Sequence, residues 1–130
     1  MTEIKRDAAR RGYVETLLKR RRYFPELAPD SRAPSRQRDA AVRMAINTPI
    51  QGSAADIIKL AMIRMHRMLR EEGLRTRMLL QVHDEVVLES PKDEVAQAIR
   101  VVREAMEAAV DLAVALKVDV ETGPNWLDMA

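Results

Sequence analysis

LLQVHDEVVLE, residues 79–89, sets three ionisable side chains, His83, Asp84 and Glu85, between two short apolar runs. Runs of this length and β-branched content read as strands, and the polar trio falls where a hairpin would reverse. A two-residue turn at His83-Asp84 sets Val82 opposite Glu85, Gln81 opposite Val86 and Leu80 opposite Val87, with the carboxylates at the tip. Neither His nor Asp suits such a turn as Asn-Gly does, although both visit left-handed backbone more often than most residues. Departures from local preference often mark functional sites. Two adjacent carboxylates also repel, and a divalent cation bound through hard oxygen ligands relieves that repulsion. By themselves, however, the three residues read more simply as a solvated polar turn. A hydrolase triad built on His83 lacks a Gly-x-Ser-x-Gly elbow and any cysteine nucleophile, and zinc held by His66 and His83 is weaker still.

Working outward, the spacing predicts a long amphipathic helix before the hairpin. Ala54, Ile58, Ala61, Met65 and Met68 form its apolar stripe, Lys59, Arg67 and Arg70 lie off it, and Gly73 closes it. Its start is predicted at Thr48-Pro49-Ile50-Gln51, with Thr48 as N-cap, Pro49 in the first helical position and Gln51 completing a capping box. A preceding helix, beginning near Ser35, is predicted to stop before that proline. After the hairpin, Ser90-Pro91 opens another helix with Asp93 and Glu94 in its first turn. Val95, Ala98, Val102, Ala105, Ala109 and Leu112 are its stripe, with Arg100–Glu104 and Arg103–Glu107 as outer ion pairs. A last strand is predicted near residues 117–121. The fold expected is α+β: a small three-stranded antiparallel sheet packed on two long helices. It is preceded by a helix ending at Gly12, a short hairpin over residues 13–24 and a Pro-rich loop over residues 25–34.

A chain of 130 residues suits one domain, and the low aromatic share of 3% leaves the core to aliphatic residues and eight Met, which favours helix packing over a β-sandwich. Without Cys there is no disulfide or thiolate nucleophile. No apolar run is long enough to span a membrane and the N-terminus is charged, so a cytoplasmic protein is expected. Charge is uneven: residues 1–38 carry +6 and residues 39–130 carry −4. The basic part is a plausible phosphate-facing surface, or simply a solvated basic face.

With its flanks, LLQVHDEVVLE resembles the third catalytic motif in the polymerase domain of family-A DNA polymerases, the bacterial DNA polymerase I type. RMAINTPIQGSAADIIKLAM (43–62) is similar to the family's duplex-contacting segment. GYVETLLKRRRYFPEL (12–27) is similar to the stretch after its fingers helix, and GPNWLDMA (123–130) to its C-terminal ending. The resemblance implies a fingers-adjacent basic segment over residues 1–38 and a portion of the palm over residues 39–130. It implies Asp84 as a ligand of catalytic Mg²⁺, Glu85 as a supporting carboxylate, and His83 beside the primer terminus. Arg43, Asn47 and Gln51 match the positions that contact the primer–template duplex, and their donors suit the acceptors that every base pair presents in the minor groove. Read without the family, Gln51 completes the capping box, Asn47 ends a helix and Arg43 is solvated. Arg20, Arg21 and Arg22 are expected to make backbone or domain contacts. Lys19 stands where the family commonly has glycine, which puts the shape of the first hairpin in question.

The implied reaction is attack of a primer 3′-hydroxyl on the α-phosphate of a deoxynucleoside triphosphate, with two Mg²⁺ ions stabilising the attacking and leaving oxygens. The family's first motif, with the other metal aspartate, has no counterpart here, nor does the fingers helix that binds the triphosphate. The chain by itself is therefore expected to be inactive, with Met1 an internal methionine or the start of a truncated frame. The remainder of the polymerase domain is then its partner, beside primer–template DNA. The competing expectation is a non-catalytic duplex DNA-binding module.

Overall fold

Glycine without a Cβ can adopt left-handed backbone, and Gly12 does so at φ +76°, ending α1 (Thr2–Arg11) and turning the chain into a short hairpin of β1 (Tyr13–Glu15) and β2 (Arg21–Tyr23). The computed structural model describes residues 2–129. Met1, at the start of the expected first helix, and Ala130, at the end of GPNWLDMA, lie outside the described residues. The chain divides into two compact units, Met1–Asp56 and Ile57–Ala130.

In the first unit β1 and β2 pair antiparallel, Tyr13 with Tyr23 and Glu15 with Arg21. The Phe24 amide donates to the Gly12 carbonyl at 2.8 Å and closes the hairpin's base. Phe24, only 2% exposed, then packs with Ala8 of α1, Val14, Leu27 and Ala41 and Ala45 of α2 (Ser35–Asn47). Burying an aromatic ring of this size stabilises by about 2–3 kcal/mol, and alanines on α1 and α2 leave room for it.

Helix α2 ends at Asn47, before Pro49 as predicted, but the helical path does not break there. It passes into a π-helical turn, Thr48–Gly52, and on into α3 (Ser53–Glu71). Thr48 is no N-cap: its backbone is helical, φ −57° and ψ −44°, and its hydroxyl donates to the Met44 carbonyl at 2.7 Å. The capping box with Gln51 is therefore not formed. A proline ring inside an α-helix clashes with the carbonyl four residues back, and the wider π turn gives that carbonyl room. The Ser53 hydroxyl donates to the Pro49 carbonyl on the other side of the turn.

In the second unit β3 (Arg77–Val82) and β4 (Glu85–Glu89) pair with Val82 opposite Glu85, Gln81 opposite Val86 and Leu80 opposite Val87, as the alternation predicts. A bulge at Leu79 lies between the Met78–Leu88 and Leu80–Val87 pairs. Met78, Val86 and Leu88 face an apolar cluster made by Met65 and Leu69 of α3 and Val101, Val102 and Ala105 of α4 (Val95–Glu107). Met65 and Val101 are fully buried. The predicted stripes need amending at three places: Ala54 is exposed, Leu69 replaces Met68 as a buried residue, and α4 ends at Glu107, so Ala109 and Leu112 lie beyond it. Glu94 lies just before α4 and not in its first turn. It is buried and accepts hydrogen bonds from the amides of Arg75 and Thr76 at 2.9 and 3.0 Å and from the Arg75 guanidinium at 2.8 Å.

The architecture is α+β with two two-stranded antiparallel sheets. The expected third strand is absent from the described sheet: residues 117–121 follow no ladder, although Val120 packs on the second unit's apolar cluster. Among the described residues no helix is long and apolar enough to cross a membrane.

Candidate functional site

The tip of the second hairpin is set by backbone geometry. With only two residues to reverse the chain, a primed turn demands positive φ, and His83 supplies it at φ +54°. The Gln81 amide side chain donates to the His83 carbonyl, bracing the turn. His83, Asp84 and Glu85 are all exposed. Among the described residues neither carboxylate is engaged by a hydrogen bond or ion pair. The turn thus projects two adjacent acidic groups and an imidazole from the end of a sheet whose other end is fastened through Arg77 to Glu89 at 2.5 Å.

In the first unit, Asn47 closes α2 and Gln51 sits four residues on within the π turn. Both are exposed, and both line an open cleft of about 170 Å³ with Arg20, Arg22, Met44, Thr48 and Gly52. The cleft is polar and basic: two guanidinium groups border two amide side chains. Arg22 is held over the Phe24 ring at 5.5 Å and donates to the Met44 sulfur at 3.2 Å. Arg43 is exposed one helical turn before Asn47 and does not line the cleft.

Beneath the cleft is a polar network that sequence reasoning missed. Asp56, 7% exposed, accepts from the Thr16 hydroxyl at 2.6 Å and from Arg20 Nε at 2.8 Å. Arg20 also donates to the Gly52 carbonyl at 3.4 Å, and the Leu17 amide donates to the Ser53 hydroxyl at 2.8 Å. The hairpin lies so close that a Cβ on Gly52 would stand 2.7 Å from the Thr16 methyl. Arg20 is thus a contact residue, as expected of the arginine run, but its partner lies 36 positions away. The one available signal was Ser53 and Asp56 three positions apart on an otherwise apolar helical stretch.

The sequence pattern that defines DNA polymerase family A matches residues 1–128, and the chain belongs to that family. It is 54% identical over 128 residues to DNA polymerase I of Geobacillus stearothermophilus, covering 98% of this chain and 14% of that protein. To the thermostable DNA polymerase I of Thermus aquaticus it is 52% identical over 121 residues, covering 93% of this chain and 14% of that one. Among solved structures, the POL domain of Pol1 from M. smegmatis, in complex with DNA primer-template and dNTP, superposes with a TM-score of 0.83 at 47% identity. That match covers 89% of this chain and 20% of the other. The chain therefore spans about one seventh of the length of the curated relatives it matches.

Proposed function

We propose that these 130 residues are the C-terminal part of the polymerase domain of a DNA-directed DNA polymerase, which adds deoxynucleotides to a primer 3′ end. Residues 1–38 are the fingers-adjacent segment and residues 39–130 a portion of the palm. Residues 117–121 are the palm sheet's third strand when the rest of the domain is present. The observation that carries the reading is the hairpin tip, where left-handed His83 presents Asp84 and Glu85 side by side, exposed and unengaged.

The donor set at the tip fits a hard divalent cation in part. Carboxylate oxygens are the ligands Mg²⁺ prefers, and two stand adjacent. Among the described residues no three His, Cys, Asp or Glu side chains gather to enclose a metal, so the tip by itself does not complete a coordination sphere. Asp84 is assigned as the Mg²⁺ ligand and Glu85 as the supporting carboxylate. When bound there, Mg²⁺ would stabilise the charge on the attacking and leaving oxygens of a displacement at the α-phosphorus. His83 is placed beside the primer terminus, where its ring can hydrogen-bond to the sugar–phosphate chain.

Arg43, Asn47 and Gln51 are the duplex contacts. Amide and guanidinium donors reading N3 and O2 acceptors accept any correct pair, which suits an enzyme that must copy every sequence. Primer–template DNA, deoxynucleoside triphosphates and the remainder of the polymerase domain are the partners, and a cytoplasmic setting goes with them.

By itself the chain is expected to show no template-directed synthesis in a primer-extension assay with Mg²⁺, because one metal aspartate cannot assemble a two-metal centre. Extension by the isolated chain would refute that. Joined to its upstream sequence it should extend primers, and Asp84→Ala should lower the rate by at least about 10³-fold, the scale of losing a principal electrostatic stabiliser. Retained activity would remove Asp84 from the metal site. The basic cleft around Asn47 and Gln51 supports a second reading, a duplex-binding module without catalysis. On that reading Arg43→Ala weakens duplex binding, Asp84→Ala changes nothing, and no upstream sequence restores synthesis.

A further inference from the structure

We propose that Arg20 and Asp56 are positioning residues: through Thr16, Gly52 and Ser53 they clamp the first hairpin onto the π turn and so fix how Asn47 and Gln51 are presented to a duplex. The inference rests on the duplex-contact reading of those two residues. A π turn is a strained insertion in a helix, and a five-residue one held only by its own backbone relaxes or frays. Here it is held from outside at three points. Asp56, one turn beyond it, ties to Thr16 and Arg20; the Gly52 carbonyl, at its last residue, takes Arg20 Nη2; and Ser53 joins the Leu17 amide to the Pro49 carbonyl.

The burial of the tie distinguishes it from a surface ion pair. Thr16 is 3% exposed and Asp56 7% exposed. The Arg20 side chain is half-exposed, so the buried Thr16–Asp56 hydrogen bond is the part of the tie that solvent cannot readily replace. The missing Cβ at Gly52 is the steric half of the device, because a side chain there would stand 2.7 Å from the Thr16 methyl and force one of them to shift. Asn47 and Gln51 bracket the turn, so rearrangement inside it moves one amide relative to the other.

Asp56 gives the test its sign. Asp56→Asn removes a negative charge beside a DNA-binding surface, and charge alone then makes duplex binding tighter. The clamp makes it weaker. The test uses the 130-residue chain with a fluorescent primer–template duplex, titrated at fixed salt, and with amide hydrogen exchange of residues 50–53 followed in the free protein. Asp56→Asn should speed exchange at the turn by about tenfold and weaken duplex affinity by about fivefold. In a Gln51→Ala background the affinity loss should disappear, because the two changes act through one contact. Arg20→Lys keeps the charge but gives up the second hydrogen bond, and should fall between native and Asp56→Asn. If Asp56→Asn abolishes the cooperative melt, Thr16→Val removes one hydrogen bond from the same carboxylate at nearly constant volume and is read in its place.

Unchanged exchange at residues 50–53 overturns the clamp. Faster exchange with equal or tighter binding, where Gln51→Ala by itself weakens binding, overturns the positioning role and leaves the duplex reading standing. If neither Asn47→Ala nor Gln51→Ala affects binding, the duplex reading falls and the proposal falls with it.

Discussion

Lys19 holds a left-handed backbone, φ +65°, in the turn of the first hairpin, a conformation that costs a residue with a Cβ about 1–2 kcal/mol. Its 3.9 Å approach to Glu15 is solvent-exposed and returns little of that. Lys19→Gly is therefore expected to stabilise the first unit by about 1 kcal/mol in urea denaturation; a loss of stability would show that the turn needs the side chain. His83 is in the same region of backbone space, at the tip that carries Asp84 and Glu85. Gly52 is the reverse case. Gly52→Ala would place a methyl 2.7 Å from the Thr16 side chain, and the overpacking is expected to cost about 1–3 kcal/mol in the same measurement.

Among the elements, the second hairpin was the most legible in sequence. The two-residue turn fixed the pairs from Val82–Glu85 to Leu80–Val87, but strict period two would turn Leu79 to the side of Val86 and Leu88, and the bulge brings Met78 there in its place. The π turn was not legible, because Thr48-Pro49 carries two compatible meanings. A threonine hydroxyl can accept from an amide ahead of it as an N-cap or donate to a carbonyl behind it, and only packing decides between them. The Arg20–Asp56 contact was hidden by its separation along the chain, while the strand expected at residues 117–121 forms no ladder among the described residues. The start of β3 depends on Glu94. Burial raises the pKa of that carboxyl, but hydrogen bonds from the Arg75 and Thr76 side chains and amides outweigh it and hold the pKa below the ordinary carboxylate value. Glu72, bonded by Arg100 and Gln97 from α4, is lowered as well. Both groups therefore contribute stability that is complete above the ordinary carboxylate range and is lost as pH falls through their lowered values. Thermal melts of the chain between pH 7 and pH 3 should show the midpoint falling at the acid end, and Glu94→Gln should flatten that fall while lowering the plateau. An unchanged acid slope in Glu94→Gln would assign the effect elsewhere.

At the scale of the whole molecule, apolar side chains remain on the outside in a chain that spans 14% of its relatives' length. Ile50 is 74% exposed, Ile63 58%, Leu79 53% and Leu80 49%, while Trp126 and Leu127 protrude from the C-terminal turn that Asn125 braces. Exposed apolar groups of this size drive association when nothing covers them. The chain alone is expected to self-associate with rising concentration in sedimentation velocity, and Leu80→Lys, on the outer face of the second hairpin, to reduce that association without moving the melting midpoint. Strictly monomeric behaviour of the unaltered chain would contradict this.

The bulge at Leu79 gives the second hairpin slack in an evolutionary sense. The residue has no partner across the ladder, so losing its codon would leave Met78 opposite Leu88 and Leu80 opposite Val87, with every pair out to Val82 and Glu85 intact. A codon lost at Leu80 gives the same sequence, whereas one lost at Gln81 or Val82 would turn the residues between it and the bulge to the opposite face. Length variation in this arm can therefore accumulate at one position, while the distance from the ladder to Asp84 is held to a fixed count of residues.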